Sequence, residues 1–327
     1  MRRENLIRLG LLCAVTAWLA APAVAENKDE KDKDKAKGGV RATLELNQNY
    51  YYAGDPLPVR ISVGNEGATP SGNPVKTPLV KGFEVRTGGT TLRPTGTATA
   101  QEPARPDKLT SKAFFGTVVD LAELYPEMRQ PGEFDVRWEA DGVESNTLKM
   151  RLIPRLEAGK EYQARVDTTE GSFTIEFFPK MAPLAVKAFT DLANLKYYDG
   201  LLVHEVRADL LVAAGDPAQS NVERAPFLFP QEQSSLPIVA GTVLMRPVGA
   251  APPSNGSSFI VMLRAEPSMN GQATVVGQVT DGLDVLGKIS RLPSTEQGSR
   301  PYFRPLKDVK IQKITITPKV LPATPAS

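Results

Sequence analysis

From Val40 to Arg155 apolar residues return at every second position in short runs, each closed by glycine, proline, asparagine or aspartate. That pattern restricts the stretch to half-buried antiparallel strands. The runs are Thr43–Leu46, Tyr50–Tyr52, Val59–Val63, Gly82–Arg86, Ala113–Val119 and Phe134–Trp138, with Thr147–Leu152 closing a hairpin around Asp141-Gly142. The one helical stripe is a weak one at Leu121–Tyr125, and the Pro- and Thr-rich stretch from Arg93 to Pro106 reads as a long loop. About seven strands in such a length suggest a β-sandwich of immunoglobulin-like type over residues 40–155. Such a fold suits a spacer or docking module but does not by itself give a function.

A chain of 327 residues exceeds what one core usually serves, so a second domain is expected after the first. Ahead of the strands, Met1-Arg2-Arg3, an apolar run from Leu6 to Leu19 and Ala23-Val24-Ala25 have the basic, apolar and small-residue order of a secretory signal peptide over residues 1–25. The apolar run is shorter than the roughly 20 residues a membrane span needs. Export to the periplasm or the extracellular space, with no membrane attachment after cleavage, is therefore expected. The sole cysteine, Cys13, lies inside this leader, which leaves the mature chain without disulfides or thiol chemistry. Lipidation of Cys13 is the alternative, disfavoured by the bulky Leu12 before it.

Losing Arg2, Arg3, Glu4 and Arg8 with the leader takes the formal charge from +2 to zero, a balance without the basic footprint of a nucleic-acid binder. Residues 26–39 open with alternating acids and bases from Glu26 to Lys37 and read as a solvated linker, with an isolated ion-paired helix as the alternative. Residues 319–327, proline-bearing and small, read as a flexible tail.

From Gln163 the pattern changes. Ala164–Asp167 and Ser172–Phe177 form a hairpin across Glu170-Gly171, and Ala182-Pro183 then opens a helical stripe through Val186, Phe189 and Leu192-Ala193. Strands follow at Leu201–Val206, Leu210–Ala214, Thr242–Met245, Phe259–Leu263 and Val275–Val279, then a short helix over Leu283–Ile289 and a last strand over Val309–Ile316. Local motifs recur in step with this order: Ala182-Pro183-Leu184-Ala185-Val186, Tyr197-Tyr198-Asp199-Gly200, Gly215-Asp216-Pro217, Asn255-Gly256-Ser257-Ser258-Phe259 and Val276-Gly277-Gln278-Val279. In order and spacing these resemble the cyclophilins, peptidyl-prolyl cis-trans isomerases that work without metal, nucleotide or covalent intermediate. The resemblance spans residues 160–318 and implies a mainly β protein whose second domain is a closed β-barrel with two helices.

It also implies a site, and the site departs from the family pattern. In the family an arginine directly after the strand histidine donates to the prolyl nitrogen; the matching segment here is Val203-His204-Glu205-Val206, so a donor has become an acceptor. The peptide-binding positions fall on Leu210, Leu211, Ala213, Arg246, Pro247, Ser258, Phe259 and Ile260, with most of the family's aromatic and amide groups replaced. No intact catalytic set remains at the family positions His204 and Glu205. Arg207, two residues beyond Glu205 and on the same strand face, is a substitute guanidinium or else a salt-bridge partner of Glu205, and Arg246 either reaches in similarly or is a solvated rim arginine. His204 is expected to be a hydrogen-bonded structural residue, because rotation about a prolyl bond transfers no proton. As the only histidine, it leaves metal binding of the usual His/Cys type unsupported. Returning arginine to position 205 is expected to restore part of any lost activity.

The resemblance thus implies proline-containing peptides or unfolded proteins as partners and no cofactor. Three functions compete: a weak prolyl isomerase, a non-catalytic peptide- or protein-binding module, and a purely structural pair of domains.

Overall fold

The computed structural model describes residues 39–48, 50–98, 100–217, 228–248, 254–295 and 303–319. The leader, nearly all of the charged linker and all of the tail beyond Lys319 lie outside the described residues. The protein is mainly β, with three α-helices among the described residues.

In the N-terminal half, Val40–Leu46, Pro58–Asn65 and Phe114–Asp120 form a three-stranded antiparallel sheet. A second sheet is built on Leu148–Ile153, Gly132–Ala140 and Phe83–Thr87, and Tyr51–Tyr52 joins it in parallel with Leu152 and Ile153. Alternation turns Val59, Ile61 and Val63 of the first sheet, and Val85, Val136 and Trp138 of the second, into one shared core. Trp138 is fully buried, and its indole Nε1 donates to the Leu79 carbonyl at 2.6 Å. Gly82 lies so close that a Cβ there would meet Trp138 Nε1 at 2.4 Å, which is why a side chain is absent at that position.

The C-terminal half has its own core. Its nine-stranded sheet runs in the order Val203–Arg207, Leu211–Ala214, Ser254–Met262, Thr242–Val248, Thr274–Asp281, Gly171–Phe177, Tyr162–Thr168 and Ile311–Pro318, with Phe229–Pro230 paired off this path to Ser254–Met262. The ladder is a half-barrel rather than the closed barrel expected. Its two end strands share no continuous register and meet only at a seam, where Leu202 bridges Lys310 and Val203 N–H donates to Val309 O at 2.8 Å. The end strand Val203–Arg207 has only five residues.

Two helices pack on this sheet, Pro183–Asn194 and Leu283–Ser290. The first buries Ala185, Val186, Phe189, Leu192 and Ala193, the three-and-four spacing of one helix face. Proline at its first position needs no N–H, and the free N–H groups of Leu184 and Ala185 donate to the Glu232 carboxylate at 3.0 and 2.9 Å. An acid placed there also meets the positive end of the helix dipole. The opposite face of this helix meets the N-terminal half: Asp191 accepts from Tyr52 OH at 2.5 Å and Tyr50 OH at 3.2 Å and pairs with Lys187. Glu133 pairs with Lys196 at 2.7 Å and with Arg151 at 2.8 Å. Burial, reinforced by the Asp191 carboxylate, pushes both tyrosine hydroxyls well above their ordinary range.

Candidate peptide-binding face

Strand register decides which side chains share the outer face of the half-barrel. Glu205 lies opposite Ala213, Ala213 opposite Ile260, and Ile260 opposite Leu244. The next row is Arg207, Leu211 and Met262. These rows converge on a small apolar cluster of Ala213, Ile238, Leu244, Ile260, Met262, Ala273 and Val275, against which Leu210, Leu211, Leu236 and Met269 pack half-buried. Leu244, Met262 and Ile238 were not anticipated from the sequence. For the first two the signal was present in plain alternation, since Leu244 is two before Arg246 and Met262 two after Ile260. Ile238 arrives by a connecting segment, held by the Asn270 side chain on its N–H at 2.8 Å, and no periodicity announces it.

Phe259, expected on the peptide face, is instead in the interior. It pairs with Ala214 and Met245 of the inner core, its ring 5.3 Å from that of Phe189 and 5.9 Å from that of Tyr198. Ser258 is buried, its hydroxyl 3.3 Å from the Ala214 carbonyl, and Pro247 is exposed opposite Asn255 beyond an irregularity in the ladder.

A register shift between Val203 and Glu205 makes two successive residues, His204 and Glu205, oppose one position of the neighbouring strand. Both are buried, at 0% and 3% exposure. Glu205 is clamped: Oε1 accepts from Arg207 Nε at 2.8 Å and Oε2 from Arg246 Nη2 at 2.6 Å. The Arg207 guanidinium also lies over the Phe303 ring, 4.5 Å from its centroid. The Arg246 side chain is 19% exposed, and its Nε is buried without a partner among the described residues.

His204 differs from the hydrogen-bonded residue expected. Neither ring nitrogen makes a hydrogen bond of ordinary geometry among the described residues. Burial, followed by the Arg246 charge, pushes the imidazole down to about 4, and the opposing pulls of Asp216, Glu205 and the Leu202 backbone are weaker. At neutral pH the ring carries no charge. Among the described residues no group of three or more His, Cys, Asp or Glu side chains is placed to hold a metal ion, and no helix is long and apolar enough to cross a membrane.

The outer side of the half-barrel therefore carries a buried apolar cluster, fringed by half-buried Leu210 and Leu211, with one carboxylate and two guanidiniums beside it. The two guanidiniums can donate charged hydrogen bonds, but Glu205 itself can donate nothing when ionised.

Comparison with known proteins identifies the family of the C-terminal half. The family model for the cyclophilin type peptidyl-prolyl cis-trans isomerases matches residues 163–316. A peptidyl-prolyl cis-trans isomerase of Arabidopsis thaliana is 29% identical over 161 residues, covering 48% of this chain and 95% of the relative. A peptidyl-prolyl cis-trans isomerase-like 1 protein of Rhizopus delemar is 31% identical over 141 residues, covering 42% and 85%. A crystal structure of a cyclophilin type isomerase from Cryptosporidium parvum aligns with a TM-score of 0.44 at 25% identity, covering 48% of this chain and 98% of that one. Through its C-terminal half, this chain belongs to the cyclophilin-type peptidyl-prolyl cis-trans isomerase family.

Proposed function

We propose that the protein is an exported, weak prolyl isomerase that engages X-Pro segments of peptides or unfolded chains on the outer face of its C-terminal half. The observation that carries the reading is Glu205, standing at the family's arginine position and clamped by two guanidiniums. Family membership supports action on prolyl bonds; the exchanged residue supports a low rate. Losing one preorganised donor costs about 2.7–4 kcal/mol of transition-state stabilisation, so turnover is expected at least ~100-fold below that of a cyclophilin with its arginine. A protease-coupled isomerisation assay on a panel of X-Pro peptides reads this directly. Turnover within a few-fold of such an enzyme refutes the low rate.

The same observation favours a second reading, in which the face binds proline-containing segments without isomerising them. Binding of those peptides with no rate above the uncatalysed one would select it.

For the N-terminal half we propose an immunoglobulin-like spacer or docking domain over residues 40–155, separate in folding from residues 160–318. Support comes from the two sheets that share one core and from the exposed connection Pro154–Lys160, which has no strand or helix. Limited proteolysis is expected to release a stable fragment beginning close to Glu157. Loss of both halves together, without such a fragment, would mean that the two do not fold as separate units.

A further inference from the structure

We propose that Arg246 supplies the hydrogen-bond donor for prolyl isomerisation in this protein, with Glu205 as the residue that positions it. The inference rests on the isomerase reading above.

Rotation about an X-Pro bond proceeds through a twisted amide in which the nitrogen lone pair is withdrawn from the carbonyl and becomes an acceptor. A fixed N–H donor beside that nitrogen is worth more in the twisted state than in the planar one, which is the condition for accelerating the step. No proton changes owner and no bond is broken.

The strand order places a guanidinium where that donor is needed. Glu205 and Arg246 stand on strands separated by two others, Leu211–Ala214 and Ser254–Met262. Neighbouring strands lie about 4.8 Å apart, so the two backbones are roughly 14 Å from each other along the sheet. Yet Arg246 Nη2 and Glu205 Oε2 are 2.6 Å apart. The two side chains must therefore extend toward each other across the positions of Ala213 and Ile260, which are themselves buried. Ala213, where the family carries a larger polar side chain, leaves the room for that crossing. The carboxylate at the old arginine position thus draws in a guanidinium from the far side of the face.

Arg207 does not meet the same description. It is in the neighbouring row with Leu211 and Met262, engages Glu205 through Nε, and rests its guanidinium on the Phe303 ring. Arg246, by contrast, keeps Nε without an acceptor among the described residues.

The test is the coupled isomerisation assay on the full chain, comparing wild type with Arg246→Ala, Arg246→Lys, Glu205→Gln and Arg207→Ala, each checked for native near-UV circular dichroism. Arg246→Ala is expected to lower kcat by about ten-fold or more while KM moves by less than about three-fold, the pattern of an interaction made in the transition state. Arg246→Lys should recover part of the loss, and Glu205→Gln should lower kcat by loosening the guanidinium. Arg207→Ala should cost less than Arg246→Ala. If Arg246→Ala does not fold, the lysine and glutamine variants carry the comparison. A kcat for Arg246→Ala at or above wild type, or a larger loss for Arg207→Ala, overturns the assignment and leaves the isomerase reading standing. A wild type that neither binds the peptides nor exceeds the uncatalysed rate overturns both.

Discussion

Replacing Glu205 with arginine is expected to destabilise the C-terminal half by about 3–5 kcal/mol, the usual cost of stripping a buried charge of its partner. The resemblance speaks only to activity, where the substitution restores the family residue. Glu205 is 3% exposed and accepts from both Arg207 and Arg246, so an arginine there would set three guanidiniums against one another, one of them at a buried position. Urea unfolding should show a lowered midpoint for Glu205→Arg with an unchanged slope. The double change Glu205→Arg with Arg246→Ala removes the nearest conflict and should recover most of the loss. It is also the variant in which a family-like rate should first emerge. A single variant as stable as wild type would mean that the clamp contributes nothing to folding.

Acid should weaken the fold through His204 by about 3 kcal/mol, the free energy that corresponds to lowering an imidazole from its ordinary 6.5 to about 4. The direction follows from which state takes up the proton first. With its folded value depressed, the ring is protonated in the unfolded chain while the folded chain still excludes the charge. This contribution is therefore complete above about pH 6.5 and is lost as the pH falls toward 4. Denaturation at a series of pH values between 7 and 4 should show the decline, and His204→Phe should remove most of it. Because neither ring nitrogen makes a hydrogen bond of ordinary geometry among the described residues, an apolar ring of similar shape gives up little hydrogen bonding. Parallel pH curves for the two proteins would show that the histidine is not the titrating group.

Both effects depend on features that could be read only partly from the sequence. Alternation located the strands well: Val59–Val63 became Pro58–Asn65, and the apolar stripe after Pro183 became the helix Pro183–Asn194. The Glu205–Arg207 contact was also legible, because residues two apart on a strand share a face. Alternation could not assign the run Phe259-Ile260-Val261-Met262, which is buried on both faces, so parity carries no information and Phe259 was placed on the wrong side. Nor could it show the irregularity that buries His204 and Glu205 together, since one inserted residue changes the face of everything after it. Arg246, read as a solvated rim arginine or else one that reaches in, does reach Glu205, a choice that depends on strand order and so is not contained in a linear pattern.

The seam between the ends of the ladder also bears on how the molecule behaves in company. A row of free N–H and C=O groups along an outermost strand is a template for adding a strand from another molecule, and long exposed edges are where aggregation starts. Here the outermost strand Val203–Arg207 gives its Val203 and Val206 N–H groups to Val309 and Phe303, and Ile311, where the other outermost strand begins, donates to Leu201. Each edge is thus partly spent on the chain's own backbone. The helix Pro183–Asn194 packs along Ile311–Pro318, and the exposed Lys313 puts a charge on it. The seam thus shortens the edge left to a foreign strand, a useful property in a protein whose proposed clients are themselves unfolded chains.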